Sequence, residues 1–115
     1  MKRLTTPSGK SFLYKRCDSG EIIVYSSDKE NKDQDRSAII ITPFIENFVR
    51  QKVKDQGKIL MGASRDAPPR GSLGYYIREM NQSPQQLSYL SAVLQEEGYC
   101  TVMKTGKAYT LIHRR

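Results

Sequence analysis

Residues 72–112 read SLGYYIREMNQSPQQLSYLSAVLQEEGYCTVMKTGKAYTLI, and the patterns within this stretch decide the fold. Two short helical patterns lie on either side of residues 81–83. Two β-rich runs follow at residues 99–103 and 108–112, and the turn residues 104–107 separate them. The predicted order of elements is therefore helix, turn, helix and β-hairpin.

The second helical pattern has clear start and stop signals. Ser83 is positioned as an N-cap, and Gln86 completes a capping box whose side chains satisfy backbone donors that would otherwise be unpaired. Gly98 supplies a left-handed C-terminal stop. One face of the helix is apolar, because three leucines recur at helical spacing: Leu87, Leu90 and Leu94. We predict a helix over residues 84–97.

This half of the chain resembles the winged helix-turn-helix superfamily, which includes bacterial repressors of the multiple-antibiotic-resistance type. The resemblance is carried by the Ser83 cap, the three leucines, Glu97-Gly98-Tyr99, and a basic turn before Tyr109-Thr110-Leu111. In winged helices the second of these helices enters a DNA groove and the hairpin, called the wing, touches the backbone. The resemblance therefore implies DNA binding.

The N-terminal third has strand patterns. Residues 11–26 predict a hairpin with its turn at Asp18-Ser19-Gly20, and residues 38–41 predict a third strand. Between them, residues 28–36 have mixed charge and no apolar side chain, which is typical of a solvated loop. We predict a small antiparallel β-meander over residues 1–41 as an N-terminal extension.

Residues 42–115 are predicted to form the winged domain as one compact unit, which makes the fold class α+β with three helices. Its first helix spans residues 42–56, with Glu46 on the solvent side. A short strand follows at 58–61, and the other predicted helix covers 72–80. The first helix has an apolar stripe: Phe44, Ile45, Phe48, Val49 and Val53. Gly74, inside the next helix, indicates close packing against another helix.

The chain is basic, with 19 Lys and Arg residues against 12 Asp and Glu residues and a formal net charge of +7. Such a balance suits an anionic partner, and it also suits an ordinary soluble basic protein. No apolar run is long enough to span a membrane, and the basic N-terminus lacks the apolar region of a signal peptide. We expect a cytoplasmic protein without membrane contact.

The residue inventory argues against an enzyme. The chain has one histidine, His113, and two distant cysteines, Cys17 and Cys100, which cannot assemble a zinc site and are expected to be free thiols. No phosphate-binding loop or nucleophile elbow is present. Glu96 and Glu97 are adjacent at a helix end and so point in different directions. We expect no catalytic residue, metal, cofactor or small-molecule ligand.

The candidate DNA contacts lie on the second helix of the helix-turn-helix and on the wing. Glutamine can pair with adenine, serine can contact a base or a phosphate, and lysine neutralises phosphate. Tyr89 either reaches a phosphate or packs at the helix edge. Arg65 and Arg70 either bind phosphate beside a helix N-terminus or stay solvated in a rigid connector. The remaining candidates are Ser83, Gln85, Gln86, Ser88, Lys104 and Lys107.

Two functions follow from these patterns. The first is a small DNA-binding transcriptional regulator that reads the major groove of double-stranded DNA with helix 84–97 and touches its backbone with wing 104–107. The second is a winged-helix interaction module or adaptor that binds a protein partner or forms a homodimer without binding DNA. The second alternative is motivated by helix 84–97 itself, which contains no Lys or Arg and ends in Gln95-Glu96-Glu97.

Overall fold

The structure, a computed structural model, describes residues 1–26, 38–63 and 68–114. Within these ranges the fold is α+β, with three helices and two antiparallel sheets. The strands are β1 (Lys2–Thr5), β2 (Ser11–Arg16), β3 (Ile22–Ser26), β4 (Ala38–Ile41), β5 (Lys58–Leu60), β6 (Cys100–Thr105) and β7 (Ala108–His113). The helices are α1 (Pro43–Gln56), α2 (Leu73–Glu79) and α3 (Gln86–Glu96). The predicted charged loop 28–36 lies outside the described residues.

The first sheet contains β1 to β4, and each strand pairs with the next in the chain. The predicted turn between β2 and β3 is confirmed, and Gly20 adopts the positive φ of 95° that the turn requires. Strand β1 was not predicted, because the sequence KRLT lacks a β-rich apolar pattern. The segment is a strand because it pairs with β2, with Arg3 opposite Leu13.

The inner face of this sheet belongs to the core. Alternate residues of each strand point to one side, and those on the inner side are buried: Phe12, Tyr14, Ile22, Val24 and Ile41. They form a single apolar cluster with residues of all three helices and of the second sheet. The N-terminal strands and the C-terminal half of the described chain therefore share one core.

Helix α1 confirms the predicted span and its start signals. Thr42 Oγ1 accepts a hydrogen bond from the Ile45 amide, and Pro43 occupies the first turn. Two side-chain predictions on this helix were wrong. Phe44 is 67% exposed, and Glu46, expected on the solvent side, is only 6% exposed. Glu46 bonds Arg50 on the same helix and also Arg16 of β2, and local periodicity does not reveal the contact with β2.

Helix α2 begins where Ser72 Oγ accepts a hydrogen bond from the Tyr75 amide. Gly74 allows a close contact, although not with another helix as predicted. Its amide donates to the carbonyl of Met61 at 2.8 Å. A Cβ at this position would lie 1.7 Å from the Gly62 carbonyl oxygen, so only glycine permits this approach of the backbone that follows β5.

Helix α3 starts two residues later than predicted, and the assignment of Ser83 as its N-cap was wrong. Pro84 and Gln85 form a turn that precedes the helix. The Leu87 amide donates to the Pro84 carbonyl and the Ser88 amide to the Gln85 carbonyl, and this three-residue spacing is tighter than that of an α-helix. Ser83 Oγ accepts from the Gln85 amide instead.

The predicted stop of α3 is confirmed. Gly98 adopts a φ of +83°, and the Tyr99 amide donates to the Leu94 carbonyl at 2.9 Å. The Gly98 amide bonds the Gln95 carbonyl, which completes a Schellman motif.

The second sheet has the strand order β5-β7-β6, and the hairpin β6–β7 turns at Gly106-Lys107. Helix α3 contacts β6 of this sheet, and it also contacts β1 and β4 of the first. It therefore lies between the two sheets.

Candidate nucleic-acid interface

Helix α3, the expected DNA-reading helix, is mostly buried. Eight of its eleven residues are buried, including the predicted contacts Gln86 and Tyr89. Tyr89 is 7% exposed and packs edge-on against Phe12 of β2, with the two ring centroids 5.1 Å apart. The Gln86 side-chain amide donates to the Ser83 carbonyl at 3.0 Å. Both side chains are thus used inside the protein.

An ion-pair cluster holds the first sheet on α1 and α3. Arg16, at the end of β2, donates two hydrogen bonds to Glu46 at 3.0 and 2.7 Å. The same guanidinium donates two to Glu97 at 2.8 and 2.7 Å. Arg50 adds a 2.9 Å bond to Glu46. Bidentate arginine–carboxylate pairs fix geometry as well as charge, so this cluster defines how the sheet sits on the helices.

Burial and hydrogen bonding act in opposite directions on Glu46. Burial alone raises the pKa of a carboxyl, but the hydrogen bonds from Arg16 and Arg50 outweigh it and hold the pKa of Glu46 below its ordinary 4.5. Its carboxylate is therefore ionised at neutral pH. The hydrogen bonds that Arg16 donates to the carboxylates of Glu97 and Glu46 raise the pKa of Arg16, which stays fully charged. The cluster persists throughout the physiological pH range.

A second ion pair joins the first sheet to α3. The Lys2 ammonium of β1 bonds the carboxylate of Glu96 at 2.5 Å. Glu96 and Glu97 thus point to different partners, as their adjacency at the helix end predicted. Arg50, which also belongs to the first cluster, places its guanidinium 4.5 Å from the centre of the Tyr99 ring.

The other predicted contacts remain at the surface. Lys104 and Lys107 of the wing, Arg70, Ser83 and Gln85 are exposed, and Ser88 is half-buried. Lys104 extends along Tyr109, its ammonium 5.9 Å from the ring centre. Arg65 lies outside the described residues. The structure therefore separates the candidates into a buried pair on α3 and an exposed group around its N-terminal end and the wing.

The turn between β1 and β2 lies among these exposed residues. The Tyr109 hydroxyl donates to the Pro7 carbonyl at 3.3 Å, which ties the turn to the wing. Three adjoining pockets of about 300, 230 and 270 Å³ surround the turn. Lysines line all three: Lys107 in the first, Lys104 in the second and Lys10 in the third.

We call Lys10, Lys104, Lys107, Ser8, Gln85 and Ser88 the lysine surface. No Asp or Glu lines these three pockets among residues 1–26, 38–63 and 68–114. Ser8 and Ser88 line both the first and the third pocket, which makes the two continuous. Ammonium and hydroxyl groups without a competing carboxylate form a surface that can bind phosphate oxygens.

Lys10 was missed at the sequence level. It follows a turn of ordinary composition, Thr6-Pro7-Ser8-Gly9, and nothing local distinguishes it from a solvated lysine. Its place depends on docking of the whole N-terminal sheet against α3. Only the tertiary structure brings it to the same surface as the wing.

The described residues carry little chemistry beyond charge. They contain no group of three or more His, Cys, Asp or Glu side chains that could hold a metal ion. Cys17 and Cys100 are both free, and burial raises the pKa of the Cys100 thiol to about 11, which keeps it protonated and unreactive. No helix in the described ranges is long and apolar enough to cross a membrane.

Comparison with protein-family models, with curated proteins and with solved structures finds no match to this chain.

Proposed function

We propose that residues 42–115 are a winged helix-turn-helix domain and that the protein binds double-stranded DNA through the lysine surface. The order of α1, β5, α2, α3 and the β6–β7 hairpin supports the fold assignment, together with the sheet order β5-β7-β6. In such a domain the hairpin is the wing, and its lysines contact the DNA backbone.

The observation that carries the proposal is the grouping of three lysines around pockets that no Asp or Glu of the described residues lines. Lys10, Lys104 and Lys107 come from two distant parts of the chain and line adjoining pockets around one turn. Phosphate neutralisation supplies most of the non-specific affinity of proteins for DNA. Arg70 is a further exposed cation, next in sequence to Pro69, which lines the first pocket.

The burial of α3 changes the expected mode of binding. Because Gln86 and Tyr89 are buried, the complex we propose does not place this helix along the major groove. Gln85 and Ser88, at its N-terminal end, remain able to approach base edges while the wing and the β1–β2 turn hold the backbone. The proposed complex is therefore dominated by backbone contacts with little sequence preference.

Fluorescence anisotropy with random-sequence duplex DNA across a salt series tests this function. We expect log K to fall linearly with log salt, with a slope of about −3 for three to four phosphate contacts. The double variant Lys104→Ala/Lys107→Ala should flatten the slope by about two and weaken binding equally for all sequences.

The matched control is Lys54→Ala/Lys58→Ala, which removes the same charge from exposed positions away from the lysine surface. If both double variants lose the same affinity, net charge alone explains binding and the lysine surface has no special role. Absence of binding by the wild-type protein at low salt would overturn the proposed function.

The interaction-module alternative has one observation in its favour. The helix that reads DNA in the resembled superfamily is covered here by the N-terminal sheet, and the Arg16 cluster holds that cover in place. A winged helix whose reading helix is part of the core is suited to protein contacts. This alternative predicts no steep salt dependence in the anisotropy experiment.

A further inference from the structure

The outer face of the first sheet is apolar along β3 and β4 and only partly covered: Ile40 is exposed, and the outward-facing Leu13, Ile23, Tyr25 and Ala38 are half-buried. The strand register places Leu13, Tyr25 and Ala38 in one row across β2, β3 and β4, and Ile23 beside Ile40 in the next. Ile40 is 55% exposed. We call these five residues the outer patch.

The sequence of the strands indicates that this face is normally covered. β3 contains the unbroken apolar run Ile22-Ile23-Val24-Tyr25, and β4 is apolar throughout. Strands that face solvent on one side alternate apolar and polar residues, whereas strands buried on both sides are continuously apolar. The inner residues pack in the core, so the outer ones call for a second covering element.

Cations border the outer patch on one side. In the same cross-strand rows, Arg3 lies beside Leu13, and Lys15 lies beside Ile23. Lys15 is exposed and has no partner among the described residues. The nearest acid along β3 is Glu21, which accepts a hydrogen bond from Ser19 at the end of the sheet. The face is therefore apolar with a positive border.

The dimensions of the outer patch suit one helix better than a second copy of the chain. It spans two inter-strand spacings, about 10 Å, which is close to the diameter of a helix with its side chains. A stable dimer interface buries roughly 800 Å² on each partner, much more than this patch presents. Two like-charged borders would also repel each other in a symmetric pair.

We propose that the outer patch docks an amphipathic helix of another protein, with an apolar stripe on the patch and acidic residues facing Arg3 and Lys15. This surface lies apart from the lysine surface, so the inference does not depend on DNA binding. It gives the interaction-module alternative a docking site and a class of partner. Sheet and helix would then bury their apolar faces against each other, as in other two-layer arrangements.

The test uses two labelled 18-residue amphipathic peptides with leucine along one face, one flanked by Glu and the other by Lys. We expect the Glu peptide to bind and the Lys peptide not to bind. Ile40→Glu should weaken binding of the Glu peptide at least about tenfold, the loss expected when a buried apolar contact is replaced by a carboxylate. Lys15→Glu should shift the preference toward the Lys peptide.

Met103→Glu is the matched control, because Met103 is 51% exposed on the other sheet and should leave peptide binding unchanged. Equal binding of both peptides, no binding up to about 1 mM, or an unaffected Ile40→Glu variant would overturn the proposal. Concentration-dependent self-association in sedimentation, abolished by Ile40→Glu, would assign the patch to a second copy and would also overturn it. Ile40→Glu should keep the salt slope of DNA binding, so the two proposals fail separately.

Discussion

Helix α3 and the tip of the wing differ completely in burial, although both were expected to touch DNA. Eight residues of α3 are buried, whereas every residue from 103 to 108 is exposed. The helix contacts strands of both sheets, whereas the strand residues at the wing tip pair with each other within the hairpin. The difference teaches that α3 is mainly a structural element and that, of the two expected contacts, the tip of the β6–β7 hairpin is the one exposed to solvent.

The comparison also separates two kinds of polar residue. Gln86 and Tyr89 are polar residues whose hydrogen bonds or ring contacts are made inside the protein. Lys104 and Lys107 are exposed at the hairpin. Substitutions on α3 should therefore change the free energy of unfolding, and substitutions on the wing should change binding only.

The largest expected effect is at Tyr89. Tyr89→Ala removes a buried ring from its contact with Phe12 and should lower the free energy of unfolding by about 3 kcal/mol or more. Urea denaturation measures this loss. Lys107→Ala should stay within about 0.5 kcal/mol of wild type. A Tyr89→Ala variant of unchanged stability would mean that the N-terminal sheet does not cover α3 in solution.

The next largest effect concerns the ion-pair cluster of Arg16, which joins the N-terminal sheet to α1 and α3. Arg16→Gln leaves Glu46 buried beside one arginine instead of two and should cost about 2 kcal/mol. This is less than for a fully buried pair, because the Arg16 side chain is 36% exposed and water screens the interaction. Lys15→Gln, a neighbouring exposed position, is the control in the same denaturation series. Equal losses of unfolding free energy in the two variants would show that the ion-pair cluster does not contribute specifically to stability.

The smallest effect separates two adjacent glutamines. Gln86→Ala removes the amide that bonds the Ser83 carbonyl and should cost about 1 kcal/mol of stability. Gln85→Ala, at an exposed position, should cost less than about half of that. Competition anisotropy compares binding to A·T-rich and G·C-rich duplexes. Gln85→Ala should reduce the preference for the A·T-rich duplex, and Gln86→Ala should leave that preference unchanged. The reverse pattern would place Gln86 at the DNA.

Much of the local structure could be predicted from the sequence. Thr42-Pro43 begins α1, Gly98 ends α3, and the turn at Asp18-Ser19-Gly20 connects two strands, since each depends on backbone conformation and capping within a few residues. The start of α3 was misplaced because Pro84 and Gln85 form a tighter turn. Strand β1 was missed because its pairing, and not its composition, makes it a strand.

The sequence could not predict which face of α3 meets solvent. Its leucine stripe shows that one side is buried, and no local pattern shows that a sheet from the other end of the chain covers the opposite side. The contacts responsible join residues 81 positions apart, as in Arg16 with Glu97. For the same reason Lys10 was missed and the burial of Glu46 was not expected.

The sequence by itself determined most elements of this protein, with the exceptions of β1 and the start of α3, because helix stripes, caps, turns and strand runs are short-range properties of the backbone and its neighbouring side chains. It also determined the basic charge and the strand runs with apolar residues on both faces. Only the tertiary structure decided which polar residues face solvent. Packing of the N-terminal sheet on α3 buries Tyr89, which lies outside the leucine stripe, and such long-range burial follows no local period.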